Sequence, residues 1–414
     1  MQSDSVPVSR RDILKMGVAT TAAVALGSPG VSAGQSRATS AEPRFHTSLC
    51  DLLGITYPVL QAPMSRIVPP AMVAAVGRAG GLGFLPGVAV PPDQLRLQIR
   101  EVRKLTDRPF GVNLIMHSEL LPPRDVSRIP RDTVLAVQGV LNRFRETLGI
   151  ATTTAPPPAV PDVVMQSVEV ILEERVPVFG IGLGRPTAQL VERCHARGVK
   201  VFSMVSTVAD AVEVAATGVD AVIAQGAEAG GHRSTWEKRP GREYAVIGTM
   251  ALLPQVVDAV RVPVIAAGGI TNGRQTAAAL MLGAQGVLLG TRFIATSEST
   301  APDFYKRALV ERDSDSTTVT DAFSGLYARA LRNAYTEEYA SSGAPVFPAV
   351  VQQMAASDIF EASARRGDGQ HYPMYAGQGV GMIRDLPPAA DIVTSIVSEA
   401  RTAMASIGER VQTS

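Results

Sequence analysis

From Tyr57 onward, short runs of apolar and β-branched residues alternate with longer Ala/Leu/Arg-rich stretches whose apolar positions recur at helical spacing. The short runs predict strands at Val59–Gln61, Gly83–Leu85, Phe110–Leu114, Val178–Ile181, Val199–Val205, Ala221–Ala224, Val264–Ala267 and Val287–Leu289. The longer stretches predict helices at Pro70–Ala79, Pro92–Leu105, Thr187–Arg197, Val208–Ala216, Ala251–Ala259 and Gln275–Leu282. Proline recurs at or near the first turn, as at Pro70, Pro92 and Pro186, where its missing N–H costs nothing. Glycine closes several of these stretches, at Gly80, Gly198, Gly218 and Gly283. The strand runs are continuously apolar, as expected when both faces are covered. Eight such units over about 230 residues match a (β/α)8 TIM barrel. An open doubly wound sheet is the competing arrangement, but the chain has no strict G-x-G-x-x-G turn and no G-x-x-x-x-G-K-[ST] loop.

Two stretches break the alternation. Residues 122–161 carry a helical pattern at Thr133–Leu148 and then a Thr/Pro-rich connector. Residues 303–382 read as a mixed helical segment with turns, and a last helix is predicted from Ala389 to about Ile407. The expected organisation is therefore an export signal over 1–33, a linker and lead-in over 34–56, and the barrel over 57–300 with its insertion. A helical insertion or cap and a C-terminal barrel helix follow over 301–414. Both additions are expected to cover the barrel mouth or pack beside it.

Composition narrows the partners. With 39 Lys+Arg against 38 Asp+Glu, the net charge of +1 gives no general pull toward nucleic acid. Only Cys50 and Cys194 are present, which excludes a disulfide framework and a Cys-rich metal site. At the N-terminus, Ser9-Arg10-Arg11-Asp12-Ile13-Leu14-Lys15 precedes an uncharged Ala-rich run to Leu26 and the small triplet Val31-Ser32-Ala33. This pattern is similar to a twin-arginine export signal. The run is too short to span a bilayer comfortably, so the expectation is an exported protein without a stable membrane anchor. Its implied partner is the twin-arginine export machinery. That route carries folded, cofactor-loaded proteins, which points to a bound cofactor.

In a β/α barrel, chemistry gathers at the C-terminal strand ends. Those positions hold Gln61-Ala62-Pro63-Met64, Asn113, the loop Gln225–Arg233, Gly268-Gly269-Ile270 and Gly290-Thr291-Arg292. Amides freed by Gly268-Gly269 and Gly290-Thr291 are suited to cradle a phosphate, since a side chain there would block the approach. Paired glycines also make ordinary tight turns; two such loops on adjacent strands favour a phosphate-bearing cofactor.

These residues together resemble the nitronate monooxygenases, FMN-containing barrels formerly called 2-nitropropane dioxygenases. The resemblance runs from Tyr57 to Thr296 and resumes at Tyr375–Val393. It is carried by Tyr57-Pro58, Gln61-Ala62-Pro63-Met64, Ala79-Gly80-Gly81-Leu82-Gly83 and Gly111-Val112-Asn113. Further along it includes Ala224-Gln225-Gly226, Glu228-Ala229-Gly230-Gly231-His232-Arg233, Ala266-Ala267-Gly268-Gly269-Ile270 and Gly273-Arg274. Gly290-Thr291-Arg292-Phe293 and Ala376-Gly377-Gln378-Gly379 complete it. It implies FMN contacts at Asn113, Gln225 and Gly230, and phosphate-end contacts at Gly269 and Leu288-Leu289-Gly290-Thr291. Gln61, Met64 and Gly268 stand on the same rim and complete the expected cofactor set. His232 matches the family's active-site histidine.

The residue chemistry agrees. Oxidation of a carbon acid needs a base beside the α-carbon, and an uncharged imidazole suits neutral pH. The activity implied is oxidation of alkyl nitronates with O2, releasing a carbonyl compound and nitrite. Among the other histidines, His195 reads as structural, His46 precedes the barrel, His371 lies where it could line the mouth, and His117 is the rival to His232. Glu228 and Arg233 stand between substrate contact and salt bridging.

Other chemistries fit less well. Lys15, Lys104, Lys200, Lys238 and Lys306 all lie away from strand C-termini, against a Schiff-base aldolase. No H-E-x-x-H or G-x-S-x-G motif is present. The nearest alternative is an NAD(P)H-dependent FMN reductase of the enoyl or quinone type. Such enzymes share the His-bearing loop but commonly open with Gly-Gly-Met where this chain has Ala62-Pro63-Met64. A non-catalytic exported FMN-binding protein is the other alternative. No metal is expected.

Overall fold

The computed structural model describes residues 45–88, 90–235 and 244–407, so the export signal and residues 34–44 of the linker and lead-in lie outside the described residues. Eight parallel strands close into a barrel. In chain order they begin with β1 (Val59–Gln61), β2 (Leu82–Pro86), β3 (Gly111–Ile115), β4 (Val178–Gly182), β5 (Lys200–Val205) and β6 (Ala221–Gln225). A two-residue strand outside the barrel, β7 (Gly231–His232), follows, and then β8 (Val264–Ala267) and β9 (Gly286–Leu289). β9 pairs back onto β1, with Val59 opposite Val287 and Gln61 opposite Leu289, and closure leaves the barrel no free edge. The expected TIM barrel is therefore the observed fold.

The helices between strands form for legible reasons. Pro92–Leu105 begins with proline, has Asp93 in its first turn and Arg103 and Lys104 in its last, and so matches the helix dipole at both ends. Its Leu95, Ile99 and Val102 recur at helical spacing and are buried against the barrel.

Inside the barrel, Leu60, Phe84, Val178, Phe202, Ile223, Ile265 and Leu288 pack together with Leu49 and Leu53 of a short helix, Ser48–Leu53. That helix lies against the start of β9, where a Cβ on Gly286 would come 2.5 Å from Leu49 Cδ2. The N-terminal end is thus filled with hydrocarbon, and the strand C-termini form the opposite mouth.

The two additions pack on each other. Helix Arg131–Thr147 contributes Val137, Leu141 and Phe144 to a second core shared with Phe323, Tyr335, Phe347 and Phe360. Phe144 stacks on Tyr335 at 4.5 Å between centroids, and Tyr335 on Phe323 at 4.9 Å. Buried Arg145 clasps this unit. Its Nε donates to Asp358 at 2.8 Å, Nη1 to Gln138 and Asn142 at 2.8 and 2.9 Å, and Nη2 to Ala355 O at 2.7 Å. His371 belongs here and not at the mouth. It is buried against Phe144 with Nδ1 2.6 Å from Asp368, because the aromatic core draws in its ring while the carboxylate satisfies its nitrogen.

The later addition is not only helical. It contains a hairpin of β10 (Thr317–Thr320) and β11 (Ala328–Leu331), and β11 pairs on its other side with β7. Ala328 lies opposite His232, and Arg329 opposite Gly231. Thr317-Thr318-Val319-Thr320 carries a β-branched signal, whereas Ala328-Arg329-Ala330-Leu331 has little propensity of its own and owes its form to partners on both sides. Among the described residues, no helix is long and apolar enough to cross a membrane.

Replacing Arg145 with Met removes donors from four acceptors in or beside the second core. The variant should lose about 2–4 kcal/mol in urea unfolding; an unchanged midpoint and slope would show that the clasp contributes nothing.

Candidate active site

The site is assembled around the loop that leaves β6. Gln225, the last residue of that strand, is buried and uses both ends of its carboxamide. Nε2 donates to His232 O at 2.9 Å, and Oε1 accepts from Ser234 N at 2.9 Å. The loop is thereby stapled on either side of Arg233. Buried Arg233 folds back and donates from Nη1 to Gly226 O at 2.7 Å and from Nη2 to Gln225 O at 3.3 Å. Arg329, brought in by β11, donates from Nε to Ala227 O at 3.0 Å. Burial, and then the neighbouring Arg329, lower the Arg233 guanidinium to about 10. Glu228 accepts from Thr249 N at 2.9 and 3.0 Å and from Thr249 Oγ1 at 2.9 Å, so it caps helix Thr249–Ala259. Both residues are thus taken up in building the loop.

The two glycine turns lie side by side, since β8 and β9 are neighbours with Ala267 opposite Leu288. Gly268 and Gly269 have φ of +102° and +71°, which side chains rarely adopt. A Cβ on Gly268 would also lie 3.0 Å from Gly226 O and 3.1 Å from Ala229 N. Gln275 fixes the turn by accepting from Thr271 N at 2.8 Å and donating to Gly269 O. The amides of Gly268, Gly269 and Gly290 have no acceptor among the described residues. Space beyond Gly290 is bounded by Ala62 and Met64, each 3.8 Å from where a Cβ would stand.

A third segment closes the cradle. Gly377 N donates to Thr291 Oγ1 at 2.9 Å, and Gln378 N donates to Glu228 O at 2.9 Å. Gly230 and Gly377 meet back to back; a Cβ on Gly230 would be 2.5 Å from Gly377 N. Open amides on the β8 and β9 turns, beside a Glu228 carboxylate that is engaged by Thr249, fit an anion such as a phosphate ester.

The remaining expected cofactor residues divide by what they offer. Asn113 lies in the middle of β3, not at its end as expected, and donates from Nδ2 to Gly180 O on β4 at 3.0 Å. The Gln61 carboxamide is buried and engaged with the backbone of Phe84 across to β2, at 3.2 Å from Oε1 to Phe84 N. The Leu288 side chain lies in the barrel interior, whereas that of Leu289 packs in the outer core. Gln61, Leu288 and Leu289 therefore present backbone, not side chains, to the mouth.

His232 stands in β7 with its Nε2 2.8 Å from Ser324 Oγ and its ring 5.5 Å from that of Tyr375. Burial, reinforced by the charge of nearby His117, lowers its pKa to about 4, so the imidazole is neutral at physiological pH. His117 is itself buried, and its Nδ1 accepts from Glu119 N at 3.2 Å. Sequence reasoning did not find Ser324 or Tyr375. Both come from the late insertion and reach the mouth only through the β7–β11 pairing and the bridge of Ala330 with Tyr375.

The fold and site define a barrel enzyme whose mouth carries open backbone amides on two adjacent turns and a neutral imidazole. Residues 46–399 match the family model described as nitronate monooxygenase, and residues 7–27 match the model of the twin-arginine translocation pathway signal sequence. A "Probable nitronate monooxygenase" of Staphylococcus aureus (strain Newman) is 33% identical over 355 residues, which cover 85% of this chain and 96% of that protein. The solved structure of nitroalkane oxidase from Streptomyces ansochromogenes is 36% identical with a TM-score of 0.78, covering 87% of this chain and 100% of that one. FabK from Thermotoga maritima is 31% identical with a TM-score of 0.69, covering 88% and 99%. The chain belongs to the nitronate monooxygenase family, and it is an oxidoreductase of that flavin-dependent kind carrying a twin-arginine signal sequence.

The lowered His232 pKa also has a stability consequence. The unfolded chain binds this proton near the ordinary value of about 6.5, whereas the folded chain resists it until about 4. Stability contributed by keeping this ring neutral is present above the unfolded value and is lost as pH falls through that window, levelling below about 4. His232→Gln should therefore lose less stability than the parent when unfolding is compared at pH values above and within that window; equal losses would mean an unshifted imidazole.

Proposed function

We propose that this exported enzyme is an FMN-dependent nitronate monooxygenase, oxidising alkyl nitronates with O2 to a carbonyl compound and nitrite outside the cytoplasm. The observation that carries this reading is the pair of amide-bearing turns on β8 and β9, which open on the mouth that also holds His232. Gly268, Gly269, Gly290 and Thr291 would hold the phosphate of FMN. Met64, Asn113, Gln225 and Gly230 would line its body, with Gln61, Leu288 and Leu289 contributing backbone. When bound, FMN supplies the electron transfer and the oxygen chemistry.

The chain's own residues supply position and field. His232, half-buried and neutral, accepts a proton from a carbon acid at its ring, and the resulting imidazolium favours an anionic nitronate. Arg233 and Arg329 bind loop carbonyls beside the cradle, and their charges are of the sign that retains an anion there. The hairpin of the late insertion covers His232 from the far side of β7.

The alternative raised by the His-bearing loop, a reductase that draws electrons from NAD(P)H on the same barrel, is the second reading. An exported FMN-binding protein without turnover is the third. Nitrite release with alkyl nitronates and without NADH is the expected result for the mature protein. Rapid flavin bleaching by NADH with no reduction by nitronate would favour the reductase instead. His232→Ala should stay yellow and lose about 10²–10⁴-fold in turnover of a neutral nitroalkane; full activity would remove His232 from the mechanism.

A further inference from the structure

Among the described residues, one ring nitrogen of His232 meets a hydrogen-bonding partner. Nε2 lies 2.8 Å from Ser324 Oγ, while Nδ1 has no hydrogen-bond partner among the described residues. Which nitrogen carries the proton is decided by what else Ser324 must satisfy. A serine hydroxyl has one proton and two lone pairs. Ser324 Oγ is 3.2 Å from Leu326 O, in a buried residue whose carbonyl has no other donor among the described residues. Ser324 Oγ also accepts from Leu326 N at 3.4 Å.

If the Ser324 proton goes to Leu326 O, its two lone pairs receive Nε2–H of His232 and N–H of Leu326. Every group is then satisfied. If the proton goes to His232 instead, the buried Leu326 carbonyl is left unpaired, an arrangement folded proteins avoid.

Ser324 is held firmly enough for this to matter. Its carbonyl accepts from Val350 N at 2.8 Å, and Val350 is a β-branched residue at φ +66°, a conformation that persists only under the constraint of its surroundings. The next residue, Gly325, has φ +78° and sits so close to Phe347 and Pro348 that a Cβ would lie 2.4 Å from each carbonyl oxygen.

From this geometry we infer that Ser324 is a positioning residue that fixes His232 as its Nε2–H tautomer and leaves Nδ1 as the proton-accepting atom. The inference rests on the reading of His232 as a base. In the proton transfer, the α C–H bond of a neutral nitroalkane breaks and an N–H bond forms at Nδ1. The electron pair passes to the nitro group, giving the nitronate. The Nε2–H bond to Ser324 persists in the imidazolium, so the ring gains charge without turning.

Long-range proton–nitrogen NMR of the 15N-histidine-labelled protein near neutral pH reads the tautomer directly, with His232 identified by the signals lost in His232→Gln. The expected spectrum has a pyrrole-type Nε2 and a pyridine-type Nδ1, with and without FMN. Ser324→Ala should mix the tautomers and lower kcat on a neutral nitroalkane by about 10–100-fold with KM little changed, by analogy with outer partners that orient ligand histidines. Ser324→Thr should restore both. A parent protein with its proton on Nδ1, or a Ser324→Ala spectrum unchanged from the parent, would overturn the assignment. Absence of nitronate turnover would instead count against the proposed oxidation, and the parent spectrum would still judge Ser324.

Discussion

The site depends on the close approach of backbones around the loop between Gln225 and Ser234. Glycines 226, 230, 268, 269 and 377 let three chain segments touch where side chains would hold them apart. The polar residues of the loop then lock that contact. Gln225 staples both flanks of Arg233, Glu228 caps the following helix, and two guanidinium groups take the loop carbonyls. With so many carbonyls and side chains engaged inward, open glycine amides are left facing the mouth on the neighbouring turns. A preorganised set of donors of this kind binds charge without paying for reorientation.

The second consequence is electrostatic. The same packing that shields the loop also shields His232, which stays neutral, whereas open glycine amides on the neighbouring turns carry partial positive charge. Under the proposed function, a neutral imidazole near such amides suits a carbon acid that becomes an anion when it loses its proton. The late insertion contributes to this by threading β11 alongside β7, which covers the histidine and delivers Ser324 and Tyr375 to it. The other insertion supports it from behind through the shared aromatic core and the Arg145 clasp.

Much of the barrel was legible because its strands are short apolar runs bounded by Pro and Gly, and a parallel barrel asks for little else. The turn glycines were legible too, because Gly268-Gly269 and Gly290 punctuate predicted strand ends. The partners of His232 were not. Ser324 lies 92 residues further along the chain, and the pairing that brings it near involves a strand with almost no propensity of its own. Local patterns do not encode such a contact. Gln61 and Leu288 show a related gap: sequence places them at the rim, but only the fold reveals that one amide braces β2 and the other side chain fills the interior. His371 was misplaced for a similar reason, since its aromatic neighbours come from helix 131–147, far away in sequence.

The account stands on amides from the β8 and β9 turns gripping a phosphate. Titrating the flavin-free protein with FMN and with riboflavin, which lacks only that group, tests this most directly. Loss of charge-assisted bonds from several amides should weaken riboflavin by about 100-fold or more, since each 1.4 kcal/mol is roughly tenfold. Equal dissociation constants for the two flavins would contradict it.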